Sequence, residues 1–195
     1  MNAYDLSDTE YLLIGKFIHK FSELEFSIEF TLLSFTLPSF KQTQFKEPPT
    51  SPWFLASMVI DKLAFNEKIT ILKNFINTHM ENYFISREDP NYTGKVDSYK
   101  KSIKELNKSL SVALSIGEHR NQLVHSFYFK QEKFFYSTRS KINDKRKIKT
   151  EKYSESNLKE LCDSVEKTFH AVHTASQYLS FLRSENLKYL MKNDK

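Results

Sequence analysis

The chain has 195 residues, 39% of them hydrophobic, with 17 Phe and 10 Tyr, which is enough apolar material for one domain spanning residues 1–195. Only 3 Gly and 5 Pro, and no run of 18 apolar residues, argue against a loop-rich chain and against a membrane span. The single cysteine, Cys162, excludes an internal disulfide and fits a reducing, cytoplasmic compartment, and a net charge of +5 permits a polyanionic partner without demanding one.

Taken in order, the chain opens with Asp5, Asp8 and Glu10 and no basic start, so no signal peptide is read. Ser7 or Asp8 is a candidate N-cap for a first helix from about Asp8 to Leu37. Ile14, Phe17, Phe21, Leu24, Ile28, Thr31 and Phe35 recur at spacings of three and four, one continuous apolar stripe. Phe26, Phe30, Leu33 and Leu37 form a second stripe, so this helix is either central or shared with a partner chain. Glu25 and Glu29 lie between the stripes. They read either as solvated rim carboxylates or, for Glu25, as a partner that orients an arginine across the core.

Pro38 ends the first helix, and residues 38–52 read as a proline-rich loop. Leu55, Met58, Val59 and Lys62 suggest a helix from about Pro52 to Leu63. Phe65, Ile69, Leu72, Phe75, Ile76 and Met80 suggest another that ends near Tyr83, followed by a turn over 86–97. The next helix starts between Lys95 and Ser98. Tyr99, Ile103, Leu106, Leu110, Ala113, Gly117, Asn121 and Val124 carry its stripe. Residues 127–139 alternate as a β-hairpin turning near Gln131-Glu132-Lys133. Residues 139–152 are strongly basic and read as a solvated loop or as an electrostatic track for RNA phosphates through Lys145, Arg146 and Lys147. A last helix opens at Ser154 or Ser156 and runs to about Tyr189 on Leu158, Leu161, Val165, Phe169, Val172, Ala175, Leu179 and Leu182.

The chemistry concentrates at the end of the fourth helical pattern, in Arg120-Asn121-Gln122-Leu123-Val124-His125. Arg supplies a planar positive fork suited to phosphate, and His exchanges a proton near neutral pH. Asn121 and His125 are four apart and share a helix face. Arg120 is five from His125, roughly 140° around the helix, so its stem must curl or the last turn must loosen for both heads to meet one phosphate. Tyr128 and Tyr136 on the hairpin are candidate base-stacking residues. His119 flanks the arginine on another face. His170-x-x-His173 is a weak metal motif without a carboxylate or cysteine beside it, and no glycine-rich phosphate loop, acid cluster or nucleophile triad is read.

Arg120-Asn121-x-x-x-His125 resembles the R-x4-H motif of the HEPN superfamily, and Phe21-Ser22-Glu23-Leu24-Glu25 resembles the first helix of many such domains. The resemblance implies an all-α, HEPN-like bundle of about five helices with a small β-hairpin insert after the motif helix. It also implies a metal-independent endoribonuclease that acts as a homodimer, needs no cofactor, and leaves a 2′,3′-cyclic phosphate and a 5′-hydroxyl. By the same resemblance His125 is general acid or base, Arg120 stabilises charge on the phosphate, and Asn121 orients either. Glu25 and His119 are supporting residues. RNA is the expected substrate, a toxin or phage-defence role the expected setting, and a regulatory protein or antitoxin an expected partner. Some HEPN toxins carry a tyrosine two residues after the histidine that a partner modifies. Here that position is Phe127, which puts neutralisation by tyrosine modification in doubt.

Two other readings compete. One is a non-catalytic HEPN-like module for binding or dimerisation, holding a nucleotide, RNA or protein. The other is purely structural, with Arg120 as an ion-pair residue and His125 as a cap at the helix end that favours cations.

Overall fold

The computed structural model describes residues 6–36, 52–80, 93–131, 133–141 and 147–193. The proline-rich loop expected at 38–52, apart from Pro52, and the expected turn before residue 93 lie outside them, as do Glu132, Lys145 and Arg146. The described chain is mostly helical: α1 (Asp8–Thr36), α2 (Pro52–Asp61), α3 (Phe65–Phe75), a π-helical turn (Ile76–Met80), α4 (Thr93–Val124) and α5 (Glu155–Asn193). Between α4 and α5 lies a three-stranded antiparallel sheet, β1 (Phe127–Gln131), β2 (Phe134–Lys141) and β3 (Lys147–Tyr153), in the order β1-β2-β3.

The sheet corrects the sequence reading. β1 and β2 form the expected hairpin, but part of the basic stretch expected to be a loop is a third strand, paired with β2 from Phe135↔Tyr153 to Lys141↔Lys147. The charges hid it. Ile148, Thr150 and Lys152 face one side and Lys149, Glu151 and Tyr153 the other, so neither face shows the apolar alternation that signals a strand.

The chain divides into two compact units, residues 1–24 with 113–168 and residues 25–112 with 169–195. In the first, the buried side chains include Phe17, Phe21 and Leu24 of α1, Ala113, Ile116 and Leu123 of α4, Phe135 and Tyr153 of the sheet, and Leu158, Cys162 and Val165 of α5. α1 starts with a reciprocal cap. The Glu10 N–H donates to Ser7 Oγ at 3.2 Å, and the Ser7 N–H donates to Glu10 Oε2 at 2.7 Å. Lys130 Nζ of β1 donates to the same carboxylate oxygen at 2.8 Å, which fastens the strand to the helix start. Burial works to raise the Glu10 pKa, but the Lys130 and Ser7 hydrogen bonds outweigh it and hold the carboxyl below its ordinary range. Ser154 caps α5, its Oγ accepting from the Asn157 N–H at 3.2 Å.

In the second unit, Ile28, Leu32 and Phe35 of α1 are buried, as are Ile69 and Leu72 of α3, Leu106 and Leu110 of α4, and Val172 and Leu179 of α5. Phe35 stacks on Phe75 at 6.2 Å. Lys68, only 3% exposed, donates to Glu25 Oε1 at 2.9 Å and also to Glu29. Burial alone would lower its pKa; the two carboxylates more than offset that and raise it. Glu25, read as a solvated rim carboxylate or as a partner that orients an arginine, is instead engaged by a lysine that the periodicity of α3 leaves inconspicuous.

The first-helix stripe is buried along its whole length, from Ile14 to Phe35. Two other stripes depart from expectation. Met58 and Val59 of α2 are exposed. At the end of α4, Asn121 and Val124 are exposed while Gln122 and Leu123 are buried, so the buried face shifts by one position within the motif.

Candidate functional site

The motif lies in the first unit. α4 ends at Val124, and the His125 N–H still reaches the Asn121 carbonyl at 3.2 Å, so the helix closes one hydrogen bond beyond its last regular residue. Asn121 and His125 are both exposed. Arg120 is half-buried. Its Nη1 donates to Asn121 Oδ1 at 3.1 Å, and its Cζ lies 5.7 Å from the centre of the Phe21 ring. Arg120 Nε is buried without a hydrogen-bond partner among the described residues. The arginine is thus steered by one ring and one amide, with no carboxylate neutralising it among the described residues.

Gln122 sets the orientation of this turn. It is 2% exposed, and its Nε2 donates to the Ser137 carbonyl of β2 at 2.7 Å and to the Lys149 carbonyl of β3 at 3.2 Å. The Ser137 hydroxyl returns a bond to the Gln122 carbonyl at 3.0 Å. One amide therefore pins the last turn of α4 to two strands at once. Burying Gln122 on that side turns Asn121 outward, which is the physical reason for the shifted stripe. Its position between Asn121 and the apolar Leu123 could have hinted at burial, but its partners lie 15 and 27 residues away in sequence.

A second cluster stands one turn earlier. His119 Nδ1 is 3.1 Å from Tyr153 Oη and 3.2 Å from Glu151 Oε2. Tyr153 Oη donates to Glu151 Oε2 at 2.6 Å, and Lys149 Nζ pairs with Glu151 Oε1 at 2.7 Å. Burial pushes Glu151 up, but hydrogen bonds from Lys149 and Tyr153 outweigh it, so the carboxyl sits below its ordinary range. Burial, followed by the bond to Glu151, drives Tyr153 far above its ordinary value, so it remains a donor. The network ties β3 to α4. His119, a flanking residue in the sequence, is a member of it.

The remaining candidates separate. Tyr128 faces inward, half-buried with its ring edge-on to Phe135 at 5.9 Å, and burial raises its hydroxyl pKa. Tyr136 lies on the opposite face, stacked on Phe129 at 5.0 Å. Lys147 occupies the first position of β3, opposite Lys141. His173 stacks on Phe169 at 5.8 Å and meets Gln177 Nε2 at 2.9 Å. Comparison with protein-family models, with curated proteins and with solved structures finds no match to this chain.

Proposed function

We propose that the protein is a metal-independent endoribonuclease of HEPN type, with Arg120, Asn121 and His125 as its catalytic residues. The observation that carries this reading is the contrast within one turn. Gln122 is locked into the sheet, while Asn121 and His125 are held out to solvent beside an arginine that no carboxylate among the described residues neutralises. A site for a phosphodiester needs a cation fork and an imidazole that a substrate can reach.

In this reading the ribose 2′-hydroxyl gives its proton to a base as its oxygen bonds to the adjacent phosphorus. The bond from phosphorus to the 5′-oxygen breaks, and that oxygen takes a proton from an acid. His125 fills one of these roles. Two copies of the chain, paired as a homodimer, supply both, with Arg120 stabilising charge on the non-bridging oxygens. The bundle is then HEPN-like, and a toxin or phage-defence setting with a protein regulator follows from the same resemblance.

The test is RNA cleavage by the purified wild type, Arg120→Ala and His125→Ala, with the products examined for cyclic-phosphate ends. Light scattering on the same samples reads the dimer. Equal cleavage by all three proteins would sink the proposal. The Arg120–Phe21 contact favours a second reading, in which the arginine packs the rim of the first unit. In that case Arg120→Ala lowers the melting temperature and no purified form cuts RNA.

A further inference from the structure

The two faces of the sheet differ. Tyr128, Phe135, Ser137 and Tyr153 turn inward, with Phe135 and Tyr153 stacked at 5.3 Å. The outer face carries Phe127 and Phe129 of β1, Phe134 and Tyr136 of β2, and Ile148 and Lys152 of β3. Phe127 is 87% exposed and Ile148 70%. Large apolar side chains at that exposure, grouped on one strand face, are uncommon unless something binds there.

The chemistry of the face selects the occupant. Phe129 and Tyr136 are cross-strand partners whose rings lie parallel, 8° apart in plane. Lys152 Nζ sits 3.6 Å above the Phe134 ring, with Lys133 at 6.0 Å. Between Phe127 and Tyr153 the sequence holds nine Lys and Arg against three Asp and Glu, while the whole chain is only +5, so the positive charge is concentrated in this segment. Lys130 and Lys149 are engaged by Glu10 and Glu151, whereas Lys133 and Lys152 lie at the Phe134 ring. A purely apolar partner would not need that charge, and a duplex would not offer base faces to the rings. Aromatic rings interleaved with cations suit unpaired bases on a phosphate strand. Alternate residues of one strand stand about 6.5 Å apart, a spacing that an extended single strand can follow.

We propose that the outer face of the sheet, through Phe127, Phe129, Phe134, Tyr136 and Lys152, is a stacking platform for the bases of single-stranded RNA. The choice of RNA as the strand rests on the nuclease reading; the platform makes unpaired RNA the substrate class. β1 begins two residues after His125, so a strand lying on the platform passes directly to the motif turn.

The test uses the full chain carrying His125→Ala and a fluorescent single-stranded RNA of about 12 nucleotides. Anisotropy reads its affinity, with Phe127→Ala, Phe129→Ala and Lys152→Gln added in turn. Phe127 is so exposed that its variant keeps the fold, which melting curves verify. Each aromatic variant should weaken single-strand binding about tenfold or more, and a duplex of the same sequence should bind less tightly than the single strand. Unchanged affinity in Phe127→Ala and Phe129→Ala overturns the platform, as does equal binding of duplex and single strand or no RNA binding at all. Loss of self-association with RNA affinity intact also overturns it, assigning the face to a second copy of the chain. Cleavage by otherwise wild-type Phe127→Ala keeps the two ideas apart. Undiminished kcat/KM would leave the nuclease standing and the platform refuted. Binding through the platform without any cleavage by wild type would do the reverse.

Discussion

His119 and His125 stand six residues apart at the end of one helix, and their surroundings are opposite. His119 is met by a tyrosine and a glutamate that a lysine holds in place. His125 is exposed just beyond the last regular turn. A histidine whose ring is already engaged by the fold holds elements together. One left open to solvent, beside an arginine with no carboxylate partner among the described residues, is available to something outside the fold. The same division runs through the turn between them, where Gln122 faces the sheet and Asn121 faces away.

The largest expected effect lies on the open side. His125→Ala should reduce RNA cleavage by about a hundredfold or more, the range for loss of a general acid or base, with no change in melting temperature. A matching fall in both cleavage and melting temperature would erase the distinction between the two histidines. On the tied side, Gln122→Leu should leave the Ser137 and Lys149 carbonyls without their donor. It should cost about 2 kcal/mol of stability, as expected for unsatisfied buried acceptors, measured by urea denaturation. His119→Ala should cost less, about 1 kcal/mol, because Tyr153 keeps its bond to Glu151. Its cleavage rate should match that of wild type once both are fully folded.

The smallest effect is one of pH. Glu151 has its pKa lowered in the folded protein, so its contribution is fully present above the ordinary glutamate value of 4.5 and is lost as pH falls through the lower folded value. Glu10 acts in the same sense. Stability should therefore decline in acid below about pH 4.5, and Glu151→Gln should make that decline shallower. An unchanged acid slope in the variant would show that the network does not couple β3 to α4 energetically.

What the sequence disclosed follows from the range of the interactions involved. The α1 stripe, the Ser7 and Ser154 caps, and the β1–β2 hairpin are all set by residues within a few positions of one another, and all were legible. Gln122, Lys68 and the Glu151 network were not. Gln122 and Lys68 are polar groups whose burial is justified only by partners far along the chain, up to 43 residues away for Lys68, and His119 lies 34 residues from the Tyr153 that it meets. β3 escaped for a different reason, since its charged residues occupy both faces and leave no apolar alternation to read. Of the site, the motif residues could be named from their spacing, but which of them faces outward could not, because the sheet decides it.

Glu10 carries a consequence for the order of events during synthesis. Its carboxylate closes the first turn of α1, yet it also accepts a bond from Lys130, 120 residues later. The unit that contains the motif is likewise assembled from residues 1–24 and 113–168. A growing chain cannot complete that unit until about residue 168 has left the ribosome, since domains fold as units while the chain emerges. A chain stopped between residues 125 and 147 would hold Arg120 and His125 but lack β3, and with it the Lys149 carbonyl that helps Gln122 orient their turn.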